Sequence, residues 1–448
     1  MNSNAALPAA ERLPADASQS HPGRTICGYL AVTLVPLALL ADTAVAMARG
    51  WTVESRLDRA ALIALAVWLS IATGLALLPA GRRFYARRFP QLVLAGASML
   101  LAWGFAELVL GPALSHLAEP LHGRRPGLEF VYRPAAGIMR DVGGEARVKF
   151  NSWGVRGDEP PPRGAAYRIL CLGGSSTACT YLDDSKTWPE RLEQDLNAAQ
   201  SGRQFWVGNA GLPGFRSDGH RQFLEESPLV EQIDCVVVQA GINDFMACLA
   251  GPRPAPPWWT RSRIWQMAGM LARRVADPGT VVEDTAGSVY VRRRAIRQAA
   301  EIDPQPPELA ACLDEFKTNL ERIADICRQR NVRLILTTQP VLWRGDLDAQ
   351  NASLLWFGQL RDGRFLSVEQ LRQGMDQYND ALRAVCHERD VELIDLAPLD
   401  GDTSVFYDDC HFTETGAARV AALVAEWFDT HPMPPESPDS PHAKGGRS

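Results

Sequence analysis

Between Ile26 and Leu110 the chain holds three stretches with almost no charge, Ile26–Met47, Ala60–Ala80 and Leu92–Leu110. Each is about long enough to cross a ~30 Å hydrocarbon layer as a helix. A helix satisfies its backbone donors and acceptors internally, as lipid requires. Three membrane helices are therefore expected, rather than a buried soluble core. Ile26–Met47 ends near Ala44-Val45-Ala46, which resembles a signal-peptide cleavage site, but its length and the weakly basic segment before it favour a retained helix. Gly81–Pro90 reads as a loop carrying Arg82, Arg83, Arg87 and Arg88, and such loops stay cytoplasmic. That orientation puts the N-terminus inside and everything after the third helix outside, although Arg49, Arg56 and Arg59 in the first external loop oppose it. An inner (cytoplasmic) membrane location with an extracytoplasmic domain follows. Asp42 and Glu107 interrupt the first and third spans. They are expected near the outer interface or bonded between helices, unless they are functional.

At 448 residues the chain exceeds one ordinary domain. Residues 1–25 and the Pro-, Ser- and Gly-rich tail 431–448 are expected to be disordered. The membrane region occupies 26–117, and a linker with lead-in strands occupies 118–165. A net charge of -6 gives no support for nucleic acid as a partner. Nine cysteines without CxxC pairs or Cys/His clusters argue against a metal site. Those near the chemical motifs, Cys179, Cys248 and Cys410, could bridge in an oxidising compartment, although small buried residues are the favoured reading.

Residues 166–430 alternate strand-like and helix-like patterns. Tyr167–Leu172, Gln204–Val207, Cys235–Gln239, Val332–Thr338 and Glu392–Leu396 read as strands. Trp188–Ala199, Leu309–Arg330, Val368–Arg389 and Thr413–Trp427 read as helices, the first opened by a Thr187/Glu190 capping box. The alternation predicts an α/β fold with a parallel sheet covered on both faces. Leu249–Asp303 breaks the pattern with Pro252, Pro254, Pro256 and Pro257, followed by a basic amphipathic run. It is expected to be a solvated insertion, with a lid over the site or contact with the membrane surface as alternatives.

Four motifs follow or end apolar runs: Gly173-Gly174-Ser175-Ser176-Thr177, Asn209-Ala210-Gly211-Leu212-Pro213-Gly214, Gly241-Ile242-Asn243-Asp244 and Asp408-Asp409-Cys410-His411. They supply a hydroxyl nucleophile in Ser175 and a base in His411, with Asp408 to hold the imidazole tautomer. Oxyanion donors come from Gly214 and Asn243. Asp409 is read as a loop hydrogen-bonder. A P-loop needs a Lys before its Ser/Thr, and none is present.

These residues resemble the SGNH, or GDSL-like, hydrolase family, in its membrane-anchored subgroup with a Gly-Gly-Ser nucleophile motif. Ser175, Gly214, Asn243 and His411 correspond to the four residues that name the family, and Asp408 to the acid. Gly174 departs from it, standing where the eponymous motif has Asp. The resemblance implies a three-layer α/β/α sandwich of flavodoxin-like topology and no cofactor or metal. It also implies hydrolysis of acyl esters, acetyl foremost, on carbohydrate or lipid. One alternative is an O-acyltransferase on a surface polysaccharide, which would need a polysaccharide-export or acyl-donor membrane protein as partner. Another is a non-catalytic glycan-binding relative, which the full set of site residues disfavours. Trp343, Arg344 and Trp356 are candidates for a sugar-binding wall.

Overall fold

A computed structural model describes residues 22–49, 51–53, 56–110, 126–199, 203–252, 255–276 and 280–431. Residues 1–21 and 432–448, within the segments expected to be disordered, lie outside the described residues, as does part of the expected linker. The chain divides into two units: Met1–Ala118 with Arg253–Val275, and Glu119–Pro252 with Ala276–Ser448.

The first unit contains α1 (Pro22–Ala48), α2 (Arg56–Leu77) and α3 (Pro79–Phe105), which continues as a π-helical turn over Ala106–Leu110. All three helices are long and apolar enough to cross a membrane. They turn large apolar side chains outward: Leu34, Ile63, Leu94 and Leu101 are 63–75% exposed. The Gly81–Pro90 segment is helix rather than the expected loop. Pro79 occupies the first turn of α3, where a missing N–H is tolerated, and the four arginines lie on the turns that follow. Gly81 permits the sharp α2–α3 reversal, since a Cβ there would sit 1.8 Å from the Leu75 carbonyl oxygen.

Asp42 and Glu107 find partners that periodicity could not reveal. Asp42 accepts the Trp258 N–H at 2.8 Å. Glu107 accepts the N–H groups of Arg263 and Ile264, each at 3.1 Å, and the Ser262 hydroxyl. A carboxylate there answers the open donors and positive dipole end of the helix Arg263–Ala276. Thr43 and Asp58 accept the indole N–H groups of Trp259 and Trp265. The first part of the insertion thus belongs to the helical unit, and the carboxylates hold it there.

Among its described residues the second unit has eight strands: β1 (Glu129–Pro134), β2 (Ala146–Lys149), β3 (Tyr167–Gly173), β4 (Phe205–Asn209), β5 (Cys235–Gln239), β6 (Thr280–Ala286), β7 (Arg333–Thr337) and β8 (Glu392–Ile394). Five form a parallel sheet in the order β4-β3-β5-β7-β8. Every residue of β3 and β5 is buried, which is why both read as unbroken apolar runs rather than alternating ones. The helices Trp188–Ala198 and Glu414–Thr430 pack together, as do Ser217–Glu226, Ala310–Gln329 and Val368–Arg389. The result is an α/β fold with helical layers around a parallel sheet. Its strand order is the flavodoxin-like one, whose topological switch point falls between β3 and β5.

A smaller sheet of order β2-β1-β6 uses the second part of the insertion, with β6 parallel to β1. Cys248 and Cys312 form a disulfide that joins the helix Ile242–Ala250 to the helix Ala310–Gln329. Cys179 and Cys410 are buried and unbridged.

Candidate active site

Chain direction places the ends of β3, β4 and β5 side by side, so the segments leaving them meet at the switch point. Gly174 precedes a one-turn helix, Ser175–Ala178, which begins at the serine and closes on Cys179 in the left-handed conformation. The Ser175 hydroxyl lies 2.7 Å from His411 Nε2. His411 Nδ1 lies 2.7 Å and 2.9 Å from the two carboxylate oxygens of Asp408, so the δ1 tautomer donates there and leaves Nε2 to accept from Ser175. Asp408 is fully buried and also accepts the Trp356 indole N–H at 2.9 Å and the His411 backbone N–H at 2.9 Å. Burial opposes its charge, but the His411 ring and these donors hold its carboxyl below the usual range. The Ser176 hydroxyl donates to the Cys410 carbonyl at 3.1 Å, tying the serine turn to the histidine loop.

Asp409, adjacent in sequence, has a different environment. It accepts the indole N–H of Trp343 at 2.7 Å and the backbone N–H groups of Trp356 and Phe357 at 2.7 and 3.2 Å. Burial and the Asp408 charge push its carboxyl up to about 6. It is a loop hydrogen-bonder, turned away from the histidine.

Asn243 lies in the first turn of the helix after β5, and its side-chain N–H₂ donates to the Phe215 carbonyl at 2.9 Å. One amide hydrogen is engaged there and one is left for a ligand. Gly174 explains how the amide comes so close to the backbone before Ser175: a Cβ at 174 would sit 2.3 Å from Asn243 Nδ2. Gly214 is needed for its backbone conformation. Nothing would crowd a Cβ there, but its φ of +79° is strained for any side-chain-bearing residue. Asp244 accepts from the Ser217 N–H and hydroxyl, holding the β4 and β5 loops together.

The expected sugar-binding wall is corrected at Trp343. Trp343 is 2% exposed and packs on Phe245 and Phe357, so it belongs to the core. Arg344 pairs with Asp346 at 2.8 Å and lays its stem against Gly401. Trp356 stands at the site, half-buried, its ring 6.3 Å from that of His411.

Three contributors were not singled out from sequence for these roles. Arg156, 4% exposed, donates to the carbonyls of Ala178, Cys179 and Leu182 and pairs with Asp184 at 2.6 Å. Asn209 donates to the Thr177 carbonyl at 2.9 Å, so two residues collar the C-terminal end of the serine turn. Tyr290, from the helix Ser288–Gln298, packs 5.8 Å from the His411 ring. The buried thiols beside the site do not compete with Ser175: burial pushes Cys179 up to about 11 and Cys410 well above the usual thiol range.

Residues 171–419 match the GDSL-like Lipase/Acylhydrolase family, and the chain belongs to it. It is a hydrolase acting on ester bonds. Among solved structures it is similar to the acetylxylan esterase Axe2 from Geobacillus stearothermophilus, with 15% identity over 59% of this chain and 95% of that one, and a TM-score of 0.35. It is also similar to the lipase/acylhydrolase from Enterococcus faecalis, with 18% identity over 60% and 100% of the two chains, and a TM-score of 0.35. No curated protein matches the sequence.

Proposed function

We propose that this protein is a membrane-anchored serine esterase whose catalytic domain works outside the cytoplasm on acyl esters, acetyl foremost, carried by carbohydrate or lipid. The observation that carries the reading is the unbroken hydrogen-bonded chain from Ser175 through His411 to Asp408. In it, His411 takes the Ser175 proton as the oxygen attacks the ester carbonyl, and buried Asp408 stabilises the imidazolium that forms. The oxyanion is held by the backbone N–H groups of Ser175 and Gly214 and by the free amide hydrogen of Asn243. His411 then returns the proton to the leaving alcohol, and water releases the acyl group by the reverse sequence. No step calls for a metal or cofactor.

Anchoring rests on the three apolar helices, and the outside location is supported by the Cys248–Cys312 bridge, which persists in oxidising compartments. The test is fluorophosphonate labelling with p-nitrophenyl acetate turnover. Ser175→Ala is expected to abolish labelling and lower turnover on the order of 10⁴-fold or more while the protein stays folded. Labelling without turnover in water would direct attention to a sugar hydroxyl as acyl acceptor, the reaction of an O-acyltransferase. Retained turnover in Ser175→Ala would remove the assignment.

A further inference from the structure

Asp409 is a fully buried carboxylate that the esterase reaction does not use, next in sequence to one that it does. A buried charge is costly unless donors surround it. Here they are the Trp343 indole and the backbone N–H groups of Trp356 and Phe357. Residues 355–358 belong to no helix or strand, so those two N–H groups have no ladder to satisfy them and depend on Asp409. The carbonyls of the same segment are held by the helix Ser288–Gln298: Arg294 donates to Leu354 at 3.1 Å, and Arg297 donates to Phe357. Trp356 is thus gripped at its backbone through both its donors and its neighbours' acceptors.

This grip presents the Trp356 indole to the triad. Its N–H donates to Asp408 Oδ2 at 2.9 Å, while the N–H groups of Cys410 and His411 reach Oδ1 at 3.1 and 2.9 Å. Donors on both oxygens fix the plane of the carboxylate, and with it the imidazole whose Nδ1 lies against both. Without the indole, His411 Nδ1 would be the one donor left to Oδ2 among the described residues.

We propose that Asp409 and Trp356 are positioning residues for the reaction: Asp409 sets the Trp356 backbone, and the Trp356 indole fixes Asp408 against His411. The inference rests on the esterase reading above and adds to it two residues that act through a third. Their effect is on orientation. A carboxylate free to rotate lets the imidazole tilt, and Nε2 then meets the Ser175 hydroxyl in the productive geometry less often. This role differs from that of a sugar platform. One face of the Trp356 ring already carries the Arg293 guanidinium, 4.5 Å away, and loss of a ring that held substrate would raise KM rather than lower kcat.

The test uses the full-length protein in detergent, read by fluorophosphonate labelling rate and p-nitrophenyl acetate kinetics. Trp356→Phe keeps a ring and removes the N–H, whereas Trp356→Leu removes both. In Trp356→Phe, kcat and the labelling rate are expected to fall together, roughly tenfold, as loss of one hydrogen bond to a charged group implies, with KM within about twofold of wild type. Trp356→Leu should be little worse, since the N–H carries the effect. Asp409→Asn should also lower kcat, because an amide cannot accept from all three donors. In the Trp356→Phe background it should cost little more, as both changes act through one hydrogen bond. If Asp409→Asn melts below the assay temperature, Arg297→Gln, which releases the Phe357 carbonyl, takes its place in the cycle. Unchanged kcat in Trp356→Phe, or a raised KM with kcat unchanged, overturns the proposal. So do multiplicative losses in the cycle. Each of those outcomes leaves the esterase reading standing, whereas wild-type protein that neither labels nor turns over would remove that reading and this proposal with it.

Discussion

Gly174 and Asn243 are a pair in which one residue's missing side chain makes room for the other's amide. A methyl group at 174 would overlap Asn243 Nδ2, at 2.3 Å, so the amide would have to give up its place. Gly174→Ala is therefore expected to lower turnover about 100-fold, the usual effect of losing one oxyanion donor. Asn243→Ala should do the same, and the double variant should be no worse than either alone, because both remove one interaction. A multiplicative loss in that cycle would mean that Gly174 acts on something else. The departure from the family motif at 174 thus has a local physical use here. Trp343 shows the converse. Its sequence position after a strand suited a sugar-facing wall, but the Asp409 carboxylate and the Phe245 and Phe357 rings hold it inside.

At the scale of elements, a one-turn helix such as Ser175–Ala178 cannot hold itself in place, because nucleation is unfavourable and one turn gains little. Its rigidity comes from outside. Arg156 and Asn209 cap three consecutive carbonyls, Thr177, Ala178 and Cys179, and the Arg156 backbone pairs with that of Asn209. Arg156→Lys keeps the charge but cannot reach several carbonyls with one planar fork. We expect kcat to fall by up to about 100-fold with KM little changed, and fluorophosphonate labelling to slow in step, since the serine would be displaced rather than lost. A raised KM with unchanged kcat would place Arg156 in substrate binding instead. The insertion obeys element logic too: β6 and the helix Ser288–Gln298 form because β1 offers an edge to pair with and the histidine loop offers a surface.

Across the whole molecule, two devices set stability. The Cys248–Cys312 bridge closes a segment with a sequence separation of 64, worth about 4 kcal/mol in the chain-entropy account. Cys312→Ser with Cys248→Ser should lower unfolding free energy by up to that amount, and reductant should do so in the wild type but not in the double variant. Buried acids set the pH dependence. Burial pushes Glu193 up to about 7, and Asp244 and Asp400 up to about 6. These groups hold a proton more tightly folded than unfolded, so their contribution is present below the ordinary carboxylate range and lost as pH rises through 6 to 7. The melting temperature should fall between pH 5 and 8. Glu193→Gln, which can still accept the Val207 N–H, should flatten that fall. Equal slopes would show that Glu193 is not perturbed.

The separate elements were legible in the order of residues. Unbroken apolar runs announced β3, β5 and the three long helices, because fully buried strands and helices apolar enough to cross a membrane carry few polar residues. The ten-residue helix Ser217–Glu226 was not legible, as few residues carry its period. The order of the four motifs was readable because each ends an element, and parallel strands bring those ends together. Which elements meet was not. Trp356 reaches Asp408 across 52 positions and Tyr290 reaches His411. Within the helical unit, Glu107 caps a helix more than 150 positions away. Local periodicity encodes which face of an element is buried, but not which distant element buries it. That choice is made by strand order and packing, when the whole chain condenses.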